Sequence, residues 1–389
     1  MHHASCIHRR QCMCSTDDSV LYSITYRQSS IPFLYICICS SIPLSLSTIN
    51  MDTASCTAAT HIQNGFLLFS YLPSIFSSPY VIVLAYVLAF PTGFWLVAYL
   101  MPQIYMLLRP VPNLKNKYNA TWALVTGGGS GIGKALAFKL ASQGLNVVIV
   151  SLDDEFLKNT LKELANTFPK LSFRSVGVSF SPGIPYLEKI KEVTKDIEVK
   201  IIFNNAGFIV TGFLDQAPLG KLLANMECNA TAAVNITHHF LQIMIAKKLK
   251  GCIVFTSSVA GFIPTPFASM YASTKAFISQ FACSVHIEVQ NLGIDVCAVH
   301  PSPVASNFYD KVDHKIELME AAQKSAVPPQ QLPNDIFRSI GVCALRDLGQ
   351  MAVGTRMGTF FIPYNFFTEL FTVAAPYLPD YKKHNKVRE

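Results

Sequence analysis

The sequence predicts an α/β fold, a doubly wound parallel sheet with a transmembrane helix on its N-terminal side. Three observations carry this reading. From Thr121 onward, short apolar runs alternate with amphipathic stretches, the pattern of parallel βαβ units. The first of these runs ends in a cluster of glycines. Ahead of the alternation, no Asp, Glu, Lys or Arg lies between Asp52 and Arg109.

The chain has 389 residues, enough for one large domain with appendages or for two domains. Residues 1–65 read as an N-terminal extension, disordered or targeting, and Met51 is an alternative start. This part holds Cys6, Cys12, Cys14, Cys37 and Cys39, with His2, His3 and His8 nearby. Their spacing matches no standard zinc pattern, so no metal is expected. Cys56, Cys228, Cys252, Cys283, Cys297 and Cys343 are scattered in apolar contexts and read as small buried hydrophobes of a reducing compartment.

Residues 66–108 read as a hydrophobic membrane anchor with its main span at about 80–101. Charged residues make up only 14% of the chain, where a soluble domain has roughly 25%. "YVIVLAYVLAFPTGFWLVAYLM", Tyr80 to Met101, is long enough to cross a bilayer, and Pro91 kinks a membrane helix without forbidding it. "FLLFSYLPSIF", Phe66 to Phe76, is too short for a second span. Arg109, Lys115 and Lys117 follow the span, while no Lys or Arg lies between Arg27 and Arg109. Positive residues stay in the cytoplasm, which places the rest of the chain on the cytosolic side.

A domain over 115–350 follows. "WALVTGGGSGIGKALAFKLASQG" reads strand, glycine turn, helix; "LNVVIVS", "VKIIFNNAG", "GCIVFTSS" and "IDVCAVHPS" read as further strands. They are almost wholly apolar, as strands covered on both faces should be. The turn is Gly127, Gly128, Gly129, Ser130, Gly131, Ile132 and Gly133. Glycines after a strand and before a helix let the backbone approach a pyrophosphate, whose charge meets the helix N-terminus. This makes the sheet Rossmann-type.

In "SMYASTK", Tyr271 and Lys275 lie one helical turn apart on one face. A tyrosine titrates near 10, and a neighbouring ammonium favours its phenolate. Ser258 ends the strand "CIVFTSS" and can hydrogen-bond the same substrate oxygen. Tyrosine as acid, lysine as tuner and serine as orienting donor suit hydride transfer to a ketone, with a nicotinamide cofactor doing the hard step.

Over roughly Thr121 to Ser306 the sequence resembles the short-chain dehydrogenases/reductases, through "TGGGSGIG", "NNAG" at Asn204 to Gly207, "ECNATAA" with Asn229, Ser258, and "YASTK". The resemblance implies a catalytic tetrad of Asn229, Ser258, Tyr271 and Lys275. It also implies cofactor contacts at Thr126, Gly127, Ser130, Gly131, Ile132, Gly133, Ser151, Asp153, Asn205, Ala206, Gly207, Tyr271, Lys275, Pro301, Val304 and Ser306. With the membrane span, the layout resembles the very-long-chain 3-oxoacyl-CoA reductases and 17β-hydroxysteroid dehydrogenases of the endoplasmic reticulum.

The sequence departs from the family's pattern in three places. Leu152 stands where NADPH-using members usually carry Arg, and Asp153 lies 20 residues beyond Gly133, where an acid meets the ribose of NAD or is a solvated loop residue. The resemblance implies NADP, with Ser151 on the phosphate and Lys134 or another base supplying charge; NAD stays open. Ser179 replaces an Asp after the third strand. Ser302 follows Pro301 in place of Gly, and Ser306 takes the place of Thr. Val304 to Pro333 is expected to shape the substrate pocket.

Residues 351–389 read as an apolar, membrane-associated C-terminal segment whose basic tail, "KKHNKVRE", suits anionic lipid. The expected protein is a lipid-ketone reductase of the endoplasmic reticulum membrane facing the cytosol. Its substrate is a 3-oxoacyl-CoA of fatty acid elongation, or else a steroid, retinoid or sphingoid ketone. A catalytically silent nucleotide-binding membrane scaffold is the reading of another class, and it needs none of Tyr271, Lys275 or Ser258. The net charge of +7 is spread out, so nucleic acid is not an expected partner. A second copy of the chain, as a homodimer, is counted among the candidate partners.

Overall fold

Seven short runs, most of them apolar and the last with a charged middle, pair into a single parallel sheet in the order β3-β2-β1-β4-β5-β6-β7. The computed structural model describes residues 78–385, apart from 311 and 313. From Val83 onward the described chain is one compact unit. Two helices come first, α1 (Pro79–Leu108) and the short α2 (Leu114–Tyr118). The first half of the sheet is β1 (Trp122–Thr126), α3 (Gly131–Ser142), β2 (Asn146–Ser151), α4 (Glu155–Thr167) and β3 (Phe173–Gly177). After α5 (Tyr186–Thr194) the chain crosses to the other side of β1. It then builds β4 (Val199–Asn204), α6 (Leu219–Met226), α7 (Ala232–Ala246), β5 (Gly251–Thr256), α8 (Ser269–Val289) and β6 (Ile294–Pro301). The last elements are α9 (Glu317–Gln323), α10 (Leu332–Ser339), β7 (Leu345–Leu348), α11 (Gln350–Phe361), α12 (Tyr364–Ala374) and α13 (Pro379–Asn385).

Side chains alternate across a strand, so one register builds two cores. Leu124 pairs with Val148 on one side and Ile202 on the other. These three join a core covered by Ile190, Ile236, Phe240, Ile278 and Ala282 of α5, α7 and α8. Their neighbours Ala123, Val125, Val147, Ile149, Ile201 and Phe203 face the opposite core, under Leu136, Leu140, Ile336 and Phe337 of α3 and α10. Cys252 and Cys297 are buried in that second core as small hydrophobes. The winding direction reverses at β1, between β2 and β4. In such sheets the ligand crevice lies at the carboxyl ends of the strands flanking that reversal.

Strand β7 is absent from the sequence expectation for a physical reason. Its middle residues, Arg346 and Asp347, are charged yet buried. Asp347 is accommodated by partners, His300 at 2.9 Å and Arg356 at 3.1 Å, which no local pattern reveals.

Helix α1 is the described helix long and apolar enough to cross a membrane, by length and composition, with a mean hydropathy of 2.2. Its 30 residues span about 45 Å. Its C-terminal part is built into the unit that follows. Trp95 stacks on Phe360, the Tyr99 hydroxyl donates to Asp347 Oδ2 at 2.8 Å, and Met106 is buried beside Cys343. Arg109 and Arg338 donate to each other's carbonyl oxygens at 2.8 and 2.9 Å. The expected extension 1–65, with His2, His3, His8 and its cysteines, and the stretch Phe66 to Phe76 lie outside the described residues, as do the last four residues of the basic tail.

At the other end of the chain, α11 and α12 expose Phe360, Phe361, Tyr364, Phe366, Leu370 and Val373. Helix α13 turns back, so that Tyr381 meets Phe213 and Asp380 accepts from the Glu317 amide at 2.9 Å.

Candidate active site

Two strand ends are tied together at the reversal point. The Thr126 hydroxyl closes β1 and accepts the amides of Asn205 and Ala206, both at 2.9 Å. The Asn205 side chain donates to Thr126 O at 3.2 Å and accepts from Thr256 Oγ1 at 3.0 Å, so it also bridges to β5. The glycine turn packs against this junction. Gly127 has φ +64°, and a side chain there would come within 2.8 Å of the Ala206 Cα. At Gly133 a Cβ would sit 2.1 Å from the Gly127 carbonyl oxygen. Ser130, extended at φ −152°, caps α3 without using its side chain. Ile132 anchors the first turn in the core. The result is a cradle of bare backbone at a helix N-terminus, which fits the pyrophosphate of a dinucleotide.

Across the crevice stands the expected tetrad. Tyr271 and Lys275 lie one turn apart on α8, both buried. Lys275 Nζ sits 5.5 Å from the Tyr271 ring centre and donates to Thr256 O at 2.8 Å. Ser258 leaves β5 and caps the turn that follows, and its hydroxyl is near enough to act on the Tyr271 hydroxyl. Asn229 falls in a π-helical turn, Glu227–Thr231, between α6 and α7. Its amide is clamped by both backbone groups of Phe208 at 2.9 Å, with Thr274 Oγ1 at 3.2 Å. Gly207 is where Asn229 and Lys275 converge: a Cβ there would lie 3.2 Å from Asn229 Oδ1 and 3.3 Å from Lys275 Nζ. The π-turn has no sequence signature, but such single turns recur at functional sites.

The electrostatics differ from the expectation that the lysine lowers the tyrosine. Burial pushes the Tyr271 hydroxyl up, with Tyr309 adding to the rise and the Ser258 side chain opposing it. Burial also brings Lys275 down to about 8. A buried ammonium is itself disfavoured, which weakens it as a tuner of its neighbour.

The residues expected to meet the adenosine lie around the end of β2. Asp153 is exposed just beyond β2 and leans on Gly177, where a Cβ would meet its own at 2.9 Å. Leu152 is exposed beside it. Ser151 faces Gly129, whose Cβ would lie 2.9 Å from Ser151 Oγ. Lys134 pairs with Glu163 at 2.8 Å. Ser179 bonds Ser181 at 2.8 Å.

At the end of β6, Pro301 and Val304 are buried, and Ser306 packs 3.1 Å from the Cβ position of Gly131, which has φ +53°. Ser302 accepts the Ala352 amide at 3.1 Å and so fastens this loop to α11. The loop then delivers two rings that sequence reasoning left unnamed. Phe308 lies 5.8 Å from the Tyr271 ring, and Tyr309 follows at 5.0 Å from Phe308. Aromatic content in 304–333 was the available signal; the direction of each ring was not.

Residues 121–317 match the family model described as short chain dehydrogenase. Among curated proteins, the human inactive hydroxysteroid dehydrogenase-like protein 1 is 34% identical over 194 residues, which are 49% of this chain and 58% of that protein. Mouse 17-beta-hydroxysteroid dehydrogenase type 3 is 32% identical, over 50% of this chain and 64% of that one. The very-long-chain 3-oxoacyl-CoA reductase of mouse is 32% identical, over 48% and 60%. The chain thus spans less than two thirds of the length of these relatives. A solved structure from a study of 7beta-hydroxysteroid dehydrogenase stereoselectivity superposes with a TM-score of 0.58 at 24% identity, covering 66% of this chain and 99% of that one, a likeness of fold.

Proposed function

Because this chain belongs to the short-chain dehydrogenase family, we propose that it is a membrane-anchored, NAD(P)-dependent oxidoreductase that reduces a lipid ketone, a 3-oxoacyl-CoA of fatty acid elongation. The observation that carries the chemistry is the pair Tyr271 and Lys275, buried one turn apart on the same face of α8, with the Ser258 hydroxyl near enough to act on the Tyr271 hydroxyl.

The cradle of Gly127, Gly131 and Gly133 leaves room for a pyrophosphate that side chains would fill, so the residues fit a dinucleotide. Thr126, Ser130, Ile132, Asn205, Ala206, Gly207, Val304 and Ser306 would frame it. When bound, the nicotinamide supplies the hydride. Tyr271, kept protonated by burial, gives its proton to the carbonyl oxygen as negative charge develops there. Ser258 holds that oxygen in line. Lys275, which meets Asn229 at Gly207, returns a proton to the tyrosine and regains one from solvent.

Helix α1 supports a membrane anchor, and the exposed aromatic residues of α11 and α12 support a second contact with the bilayer. We place the protein in the endoplasmic reticulum membrane with this domain in the cytosol. A steroid ketone is the second reading, favoured by the Phe308 ring beside Tyr271, since a rigid apolar ring system buries well against aromatic side chains.

Full-length protein in lipid nanodiscs, assayed with a long-chain 3-oxoacyl-CoA and with a steroid ketone, each with NADH and NADPH, tests the proposal. Reduction of the thioester substrate supports it. Reduction of the steroid alone selects the second reading. Cofactor binding without turnover of any ketone means a silent scaffold.

A further inference from the structure

A chain of buried polar groups runs from α1 to the carbonyl of Lys275. The Tyr99 hydroxyl donates to Asp347 Oδ2 at 2.8 Å. Asp347 Oδ1 faces His300 Nδ1 at 2.9 Å. His300 Nε2 lies 2.9 Å from Ser279 Oγ. Ser279 in turn lies 2.8 Å from Ser257 Oγ and 2.9 Å from Lys275 O, and Ser257 reaches the same carbonyl at 2.8 Å. A side branch joins from α11. Arg356 donates to both Asp347 oxygens, at 3.1 and 3.3 Å, and its guanidinium lies 3.7 Å above the Phe262 ring. Phe262 meets the His300 ring edge to face at 5.3 Å.

Asp347 is the fixed acceptor of the chain: His300 and Arg356 hold its carboxyl at about 2 against the upward push of burial. His300 Nδ1 lies 2.9 Å from it, and His300 Nε2 meets Ser279 Oγ. Ser279 stands on α8, where its hydroxyl also reaches Ser257 and the Lys275 carbonyl. Ser279, His300 and Asp347 have the connectivity of a hydrolytic triad, but His300 is 0% exposed, so no substrate reaches it. Its position behind the catalytic helix gives it a different use.

We propose that His300 and Asp347 are positioning residues for Lys275 and Tyr271, and that through them Tyr99 of the apolar helix and Arg356 of the C-terminal segment set the alignment of α8. The proposal rests on reading Tyr271 and Lys275 as the reacting groups. The membrane-facing helices are then part of the catalytic scaffold as well as a tether. Geometry at the reacting groups is steep in its effect, since a misplacement of about 1 Å costs about a hundredfold in rate.

The test uses full-length protein in nanodiscs, with Tyr99→Phe, Ser279→Ala and the double variant, each a small change of shape. With a long-chain 3-oxoacyl-CoA and NADPH, each single variant should lose about three- to tenfold in kcat, with KM and NADPH affinity within about twofold. The double variant should fall no further than the worse single one, because both cut the same chain. Losses that multiply, or an unchanged kcat with only a lower melting point, overturn the proposal. Amide hydrogen exchange of the cofactor-free protein gives a second readout that needs no substrate. Tyr99→Phe should speed exchange over 275–282, on α8, and leave β1 and β2 unchanged. Faster exchange confined to α1 and β7 overturns it. Turnover by Tyr271→Phe would instead remove the reading of the site, leaving the exchange result to decide the relay.

Discussion

The indole of Trp95 lies flat on the ring of Phe360, with centroids 3.8 Å apart and planes 11° from parallel. It joins an N-terminal helix to a C-terminal one across 265 residues of chain, and Tyr99 and Met106 continue the seam. Starting the chain at Lys115 removes all three. We expect such a truncation to unfold at lower temperature than the full chain in detergent, in addition to changing how it fractionates. Met106→Ala isolates the packing contribution: this side chain is 1% exposed, and emptying such a site costs ~2–5 kcal/mol. Urea denaturation with an unchanged midpoint would show the seam to be dispensable.

Tyr271→Phe removes the acid and keeps the ring against Phe308. Turnover at saturating cofactor should drop by about 10²–10⁴, while NADPH binding, followed by its fluorescence, stays within a few-fold. Turnover within a few-fold of the parent would take Tyr271 out of the mechanism.

Much of the fold was legible because each buried strand announces itself as an apolar run and the glycine turn has a fixed place after the first one. The positions of Tyr271 and Lys275 on one helix face follow from their spacing alone. What was hidden depends on partners far away in sequence. Strand β7 is masked by Arg346 and Asp347, and burial tolerates the Asp347 carboxylate because of His300 and Arg356. The π-turn places Asn229 where the Phe208 backbone holds its amide, a contact across 21 residues that no local pattern reveals. The depression of Lys275 comes from how deeply the helix packs, which spacing does not measure.

Gly133→Ala probes the cradle. Its Cβ would stand 2.1 Å from the Gly127 carbonyl oxygen, which is backbone and cannot rotate away. The turn must open, so we expect NADPH affinity to fall by more than about tenfold, with a loss of ~1–3 kcal/mol in stability from the overpacking. Isothermal titration and urea denaturation measure the two effects. Full affinity would mean that the cofactor is not held by this turn.

Stability of the cofactor-free protein should depend on Lys275 in a defined pH window. Burial lowers it to about 8 in the folded chain, against an ordinary 10.5. Between these values the unfolded chain holds the proton and the folded chain does not, so stability rises with pH. Below pH 8 both forms are protonated and the penalty is constant. Above about 10 the buried Tyr271, raised by burial, reverses the slope, because only the unfolded chain then loses the tyrosine proton. The rise from pH 8 to 10 should be ~2 kcal/mol in urea denaturation. Lys275→Met should flatten it; an equal slope in that variant would assign the rise to other groups.

The choice of cofactor turns on Asp153. Its carboxylate is exposed at the end of β2 and rests on Gly177, so it stands at the rim where the adenosine ribose of a bound dinucleotide would lie. An acid there accepts hydrogen bonds from both hydroxyls of NAD and repels the 2′-phosphate of NADP. The neighbour that could compensate on α3, Lys134, is held by Glu163 at 2.8 Å. Leu152 offers no charge, which leaves Ser151 as a neutral donor to a phosphate. Asp153→Ala should therefore weaken NADH and tighten NADPH, each by about tenfold or less, since one exposed charge and one or two hydrogen bonds are at stake. The gain for NADPH should shrink at high salt, because the repulsion is screened within about 10 Å at 0.1 M, while the loss for NADH should not. Fluorescence titration of both cofactors at two salt concentrations reads all four numbers. Unchanged affinities would show that the carboxylate faces solvent and that another group selects the cofactor.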